Sequence, residues 1–322
     1  MKFAQSNVAV SGKLRADAPN PVSAEDLWHI GSVTKPMTAT LLAILQDAGD
    51  LDLAEPIADL LPNLKMHPGW RRVTLQHLLT HSSGLPANLR LSWGTKDPES
   101  DQERQALRGR YLGRALAKPP GAKLGERFRY SNLGYTLAGY CAEVRMQQPF
   151  RRLMQDRLWT HLGMHSAGFG PPLSQPGREQ PLGHRAILRW RFPQDPDQRQ
   201  VDNNSIMDPA GCVHMSLQDL LGFGAAHLAG RWPQLRVPAL ADYACGWVLG
   251  SPLPRPYPLV WHNGSNTLWY CLLVLAPSQG AVIALTTNDG ASRKVERGFF
   301  RLAYGWLDRL PTRHDDYAEP VL

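Results

Sequence analysis

His29-Ile30-Gly31-Ser32-Val33-Thr34-Lys35-Pro36-Met37 leads into an apolar run that ends at Ala48. Leu41, Ile44, Leu45 and Ala48 recur at helical spacing, Gly49 stands where a C-cap would, and Pro36 is tolerated only in a helix's first turn. The spacing predicts a helix whose N-terminus carries Ser32, with Lys35 three residues on and on the same face. The backbone N–H of Ser32 then has no carbonyl partner inside the helix. A hydroxyl, an amine within reach of its proton and an N–H free for an oxyanion suit nucleophilic catalysis. As a bare pattern S-x-x-K is weak, because Ser and Lys at this spacing also occur on solvated helix starts where the serine merely caps. Partners elsewhere in the chain decide between the two readings.

The chain has 322 residues, 43% of them hydrophobic and 20% charged, which fits a globular protein and excludes a disordered or fibrous one. Its length allows one large or two medium domains. The net charge is +7, but arginine is scattered and no block of like charges marks a nucleic-acid tail. The densest basic cluster, Arg185 to Arg191 around Trp190, reads as a solvated loop or pocket rim, with base stacking the alternative. Cys141, Cys212, Cys245 and Cys271 form no C-x-x-C, which removes zinc ribbons and redox motifs and leaves reduced, buried thiols. His77 with His81, and His161 with His165, have the spacing of paired zinc ligands, but neither lies in H-E-x-x-H, and packing and capping roles are preferred. Met1 to Ser6 lacks a signal-peptide core, and no apolar run approaches the ~20 residues of a membrane helix. As written the chain reads as cytoplasmic, or as periplasmic or secreted if its start is truncated.

Residues 3 to 10 alternate enough for a strand. A short helix is expected around 57–61, and another within 73–86 with Thr74 as N-cap and Gly84 and Pro86 at its end. Residues 89–110 read as a loop and a surface helix. Phe128-Arg129-Tyr130-Ser131-Asn132-Leu133-Gly134-Tyr135 opens an apolar helix, so Tyr130 and Asn132 occupy the loop just before it. There they either reach into a cleft or serve packing and capping. Residues 166–209 read as a long loop able to roof a pocket. After a helix over Leu217 to Leu228 the period changes. Tyr243 to Leu249, Leu259 to His262, Leu268 to Leu275 and Ala281 to Thr287 form an antiparallel meander, and a last helix runs from about 292 to 310. The fold expected is α+β: residues 1–31 and 238–322 make a sheet domain flanked by helices, and 32–237 a mostly helical domain.

Taken in order, Ser32-Val33-Thr34-Lys35, Tyr130-Ser131-Asn132 and His262-Asn263-Gly264 resemble the three motifs of the serine β-lactamase and penicillin-recognising superfamily, nearest to class C β-lactamases, DD-peptidases and family VIII carboxylesterases. Leu78-Leu79-Thr80-His81-Ser82-Ser83-Gly84-Leu85-Pro86, Pro120-Gly121, Leu162-Gly163-Met164 and Ala276-Pro277 are similar as well, and the resemblance covers nearly the whole chain. It implies a β-lactamase/transpeptidase-like fold with the active site between the two domains. Ser32 would be the acylated nucleophile, and Lys35 with Tyr130 the proton-handling pair. Asn132 would bind an amide or ester group of the substrate, and the backbone N–H groups of Ser32 and Ser265 would form the oxyanion hole, beside His262, Asn263 and Gly264. A buried ammonium lowers a neighbouring phenol's pKa and desolvation lowers the amine's, so either Lys35 or Tyr130 serves as base.

Two departures from the pattern matter. Where the lactamases usually have Lys-Thr-Gly, this chain has His262-Asn263-Gly264, and a mostly neutral imidazole anchors a carboxylate poorly. Some DD-peptidases resemble it in having His there. No glutamate motif of the class A kind is present. Secondly, only 31 residues precede Ser32, fewer than the family's N-terminal layer needs. On the last helix Val295, Phe299, Phe300, Leu302, Ala303, Trp306, Leu307 and Leu310 form a stripe wider than the ~100° that covers one side of a sheet, so part is left for a homo-oligomer contact or for poor solubility. The expectation is a serine acyl hydrolase acting on small acyl esters through an acyl-enzyme. The alternatives are a DD-peptidase or β-lactamase and, from another class, a catalytically silent binding module. The partner is a small-molecule ester or amide; no cofactor, metal, nucleic acid or membrane span is implied.

Overall fold

The computed structural model describes residues 7–88, 96–196, 201–240, 242–253 and 257–312. Its strands are β1 (Leu27–His29), β2 (Gly168–Phe169), β3 (His184–Ile187), β4 (Trp190–Pro193), β5 (Val213–Ser216), β6 (Val248–Leu249), β7 (Val260–Ser265), β8 (Tyr270–Ala276) and β9 (Ala281–Thr287). The longer helices are α1 (Thr34–Asp47), α2 (Leu75–Leu79), α3 (Asp101–Leu116), α4 (Asn132–Met146), α5 (Leu217–Leu228) and α6 (Ser292–Leu307). The architecture is α+β with an antiparallel sheet flanked by helices, as expected.

Strand β8 explains the sheet. Every residue from Tyr270 to Ala276 is apolar or aromatic and buried, which only a strand covered on both faces can satisfy. It lies inside the antiparallel order β6-β7-β8-β9. Cys271, Leu273 and Leu275 pack into the main core, which also holds Leu220 and Phe223 of α5. Leu272, Val274 and Ala276 face a second cluster with Phe300, Tyr304 and Leu307 of α6. Neighbouring β7 alternates, with Val260, His262 and Gly264 buried and Trp261, Asn263 and Ser265 half-buried.

The main core continues into the helices. Of α1, eleven residues are buried, including Lys35. Strands β1, β5 and β2 pair antiparallel in that order, and β1 delivers the chain into the turn at Gly31–Val33 that opens α1. Behind α1, buried Asp208 meets Arg151 at 2.7 Å and Arg104 at 3.6 Å, while Arg108 pairs with Glu143. Burial raises the Asp208 pKa, opposed by these arginines. The cluster pins the short helix Asp208–Gly211, whose Pro209 carbonyl accepts from Thr38 Oγ1 at 2.7 Å.

Some elements depart from expectation. Residues 7–10 are not a strand, and 3–6 lie outside the described residues, as do 89–95 in the expected loop. The helix after Thr74 stops at Leu79, since the next residues wrap back with His81 at φ 58°. The stretch 166–209 carries β2 and the β3–β4 hairpin; the alternation is obscured because Ile187, Trp190 and Phe192 lie on the exposed face while Arg191, paired with Asp289, is half-buried, and Leu188 takes a left-handed conformation at the tip. The strand expected from Tyr243 is reduced to Val248–Leu249. Gly246, at φ 83°, lies so close to α1 that a Cβ would be 2.8 Å from Pro36 Cα. No helix among the described residues is long and apolar enough to cross a membrane.

Candidate active site

The turn carrying Ser32 and the end of β7 cross with almost no space between them. A Cβ on Gly31 would stand 2.3 Å from Ser265 N; one on Gly264 would stand 2.0 Å from Ile30 O and 2.5 Å from Ser32 N. Both positions require glycine on these grounds, and Gly31 also has φ 52°. The crossing puts the backbone nitrogens of Ser32 and Ser265 on neighbouring segments of one small site.

Lys35, the second residue of α1 and one turn on from Ser32, is fully buried. Its Nζ lies 2.9 Å from Ser32 Oγ, 2.7 Å from Asn132 Oδ1 and 2.7 Å from the Ala210 carbonyl. None of these partners is a carboxylate, and burial pushes the lysine pKa well below its ordinary value. The Tyr130 hydroxyl donates to Ser32 Oγ at 2.8 Å, and its ring centroid lies 4.8 Å from Nζ. Burial holds the Tyr130 pKa up at about 12, partly offset by the bond to Ser32. The phenol is therefore raised, where the sequence argued for lowering: its burial outweighs the stabilisation that its bond to Ser32 gives a phenolate. Asn132 is the first residue of α4 and leaves capping to Ser131, whose Oγ accepts from Gly134 N at 2.9 Å. Asn132 Nδ2 donates to Asn88 Oδ1 at 2.7 Å, which fixes the amide so that its oxygen faces Lys35.

The third motif is split by the alternation of β7. His262 points into the site, and its Nε2 lies 3.1 Å from the Tyr243 hydroxyl while Nδ1 meets the Asn263 carbonyl at 2.5 Å. Burial first, then Lys35, drives the His262 pKa down to about 3. Asn263 points the other way, where Nδ2 donates to Tyr270 Oη at 3.0 Å and to Glu296 Oε2 at 2.6 Å. Its side chain does not converge with Ser32. The Ser265 hydroxyl donates to Trp269 O at 2.6 Å and so shapes the β7–β8 turn, leaving the backbone nitrogen beside Gly31.

His81 belongs to the site as well, although the sequence offered it only as half of a histidine pair and within the family-like phrase Leu78 to Pro86, with no role in the site. Its Nδ1 accepts from Ser131 N at 3.1 Å, and its ring lies 4.5 Å from that of Tyr130 and 4.8 Å from that of Tyr243. Burial holds its pKa well below the usual value, so it is a neutral wedge that seats the tyrosine. His77 instead completes the cap of α2, its Nδ1 accepting from Thr74 N at 3.2 Å. Among the described residues no group of three or more His, Cys, Asp or Glu stands ready for a metal ion.

Comparison with known proteins shows the family and the fold. A family profile described as Beta-lactamase matches residues 6–304. Penicillin-binding protein 4 of Amycolatopsis lactamdurans is 26% identical over 96% of this chain and 85% of its own length. Among solved structures, the octameric penicillin-binding protein homologue from Pyrococcus abyssi superposes with a TM-score of 0.74 at 23% identity, covering 93% of this chain and 70% of that one. The D-amino acid amidase from Ochrobactrum anthropi superposes with a TM-score of 0.72 at 22% identity, covering 92% and 88%.

Proposed function

The chain belongs to the Beta-lactamase family and is a serine hydrolase, and from that premise we propose that Ser32 forms an acyl-enzyme with small acyl esters. The observation that carries the substrate class is electrostatic. His262, held down at about 3, is neutral and stands where the family's lactamases usually carry a lysine, so the third motif supplies no permanent cation for a substrate carboxylate.

The same geometry favours Lys35 as the base. A neutral amine has two hydrogens and one lone pair; Asn132 Oδ1 and Ala210 O take the hydrogens, and the lone pair is left for the proton of Ser32 Oγ. As Oγ attacks, the carbonyl oxygen gains charge beside the Ser32 and Ser265 N–H groups. Collapse expels the alcohol, which takes a proton from Tyr130. The proton held by Lys35 then returns to the tyrosine oxygen. Water repeats the sequence on the acyl-enzyme and releases the acid.

Turnover of p-nitrophenyl acetate and butyrate by wild type but not by Ser32→Ala is the expected result. Equal rates would end the proposal. The second reading is β-lactam or peptidoglycan-peptide hydrolysis, favoured by the likeness, over 96% of this chain, to a penicillin-binding protein. Nitrocefin turnover exceeding ester turnover would establish it instead, and absence of any fluorophosphonate or penicillin adduct on Ser32 would indicate a silent binding module. We further propose that the chain self-associates, a reading supported by its likeness to the Pyrococcus abyssi homologue, which is an octamer.

A further inference from the structure

The turn bearing Ser32 and the turn bearing Ser265 are joined by a relay, buried at His29 and half-buried at Asp202 and Asn266, that lies outside all three motifs. His29, at the end of β1, has no exposed surface. Its Nδ1 accepts the N–H of Gly31 at 3.2 Å. An accepting Nδ1 requires the proton to sit on Nε2, and Nε2 lies 3.1 Å from both oxygens of Asp202. Asp202 Oδ1 also accepts from Asn266 Nδ2 at 3.0 Å and from Asn203 N at 2.7 Å. Asn266 in turn accepts the N–H groups of Leu268 and Trp269 at 3.2 Å each, which fixes the turn directly after Ser265. The Trp269 ring closes the relay against the His29 imidazole, with centroids 5.7 Å apart.

Gly31 is where this matters. It is the left-handed glycine whose carbonyl side forms the Gly31–Ser32 peptide plane, and that plane carries the Ser32 N–H. A glycine's dihedral angles are soft, so the plane keeps its tilt only if something holds its other side. His29 holds the Gly31 N–H, Asp202 holds His29 in the accepting tautomer, and Asn266 ties Asp202 to the second amide-bearing turn.

We propose that His29, with Asp202 and Asn266, is a positioning relay that keeps the Ser32 and Ser265 N–H groups in register for the oxyanion. The proposal rests on the reading of Ser32 as nucleophile. The three act through the backbone turns that carry the two amides, so their loss is felt in kcat and in the rate of acylation rather than in KM.

Two amide replacements separate the halves of the relay. In His29→Asn the short side chain keeps an acceptor near Gly31 N–H and loses Asp202; in His29→Gln the longer one reaches Asp202 and loses Gly31. Asp202→Asn changes no volume but can donate to Nε2, which turns the Nδ1 proton against the Gly31 N–H. Kinetics with p-nitrophenyl acetate, the rate of fluorophosphonate labelling of Ser32 and thermal unfolding are measured on each. The expected result is a fall in kcat and labelling rate of about 10²-fold in His29→Gln and Asp202→Asn, within the range for losing an oxyanion donor. KM should stay within about threefold and unfolding remain cooperative, with His29→Asn closer to wild type. Wild-type kcat and labelling in both His29→Gln and Asp202→Asn would overturn the relay. So would equal losses in all three variants that track a fall in melting temperature, which a merely structural histidine would give. If Ser32→Ala keeps wild-type turnover and no label reaches Ser32, it is the nucleophile assignment that has failed, and the relay falls with it.

Discussion

Lys35 costs the fold stability, and that is the condition for its proposed chemistry. Its pKa in the folded chain lies well below the ordinary lysine value of 10.5, so between those two points the unfolded chain binds a proton that the folded one does not. Stability therefore rises with pH across that window, and below the folded pKa the full penalty applies. Lys35→Met should abolish ester turnover yet raise stability at pH 7 by about 1 kcal/mol, as replacements of strained active-site groups commonly do. Thermal unfolding of the two proteins checks it, and a lower melting temperature in the variant would show the lysine is held by its hydrogen bonds at no cost. In wild type, activity should fall on the acid side as Lys35 protonates, with the alkaline loss from Tyr130 centred at about pH 12 rather than at the ordinary tyrosine value. Tyr130→Phe removes the donor to Ser32 Oγ and should cut acylation by about 10²- to 10⁴-fold with little change in folding. Near-normal acylation would leave Lys35 to work alone. Ser32, Lys35 and Tyr130 are legible in the sequence because each sits at a fixed offset from a helix start. His29 and His81 are not, because their partners Asp202 and Ser131 lie 173 and 50 residues away. The outward turn of Asn263 does have a local signal: period-two alternation in a strand sends adjacent residues to opposite faces, so His262 and Asn263 cannot both face Ser32.

At the scale of elements, the site depends on β7 and the first turn of α1 touching backbone to backbone. Gly264→Ala places a methyl group 2.0 Å from Ile30 O and 2.7 Å from Val33 N, so the strand or the turn must move. The expected cost is about 1–3 kcal/mol of stability from overpacking, together with loss of most ester turnover because the two amides separate. Urea unfolding and initial rates test this, and a variant with wild-type kcat would mean that the crossing yields without disturbing the amides. Elements with strong local signals are legible: the capped helix after Thr74, the apolar helices α1 and α5, and the meander from β7 to β9. Those shaped by distant contact are not. The run expected from Tyr243 fails as a long strand because Gly246 is pressed against Pro36, more than two hundred residues earlier in the chain, and nothing local announces that contact.

For the whole molecule the open question is what lies beside β9. Val282 and Ala284 pack towards the main core and Ala281, Ile283 and Leu285 towards the cluster under α6, so both faces of the strand are covered. Yet all seven residues stay half-exposed. The exposure is therefore lateral, along an edge that no other described strand pairs with. Edge strands are ordinarily guarded by lysine, proline or a bulge, and Ala281 to Thr287 has neither of those residues. On α6 the broad apolar stripe divides: Phe300, Ala303, Tyr304 and Leu307 are buried, whereas Leu302 remains 55% and Trp306 63% exposed. An unguarded edge and an apolar helix face belonging to one sheet make a surface that a second copy can cover, extending the sheet and burying the stripe together. We expect light scattering to find the purified chain as a dimer or larger at micromolar concentration. A Leu302→Ser, Trp306→Ser variant should shift towards monomer with an unchanged melting temperature, because both side chains are exposed within the single chain. A wild type that stays monomeric at high concentration would sink the proposal, and would mean that the edge and the stripe tolerate water as they stand.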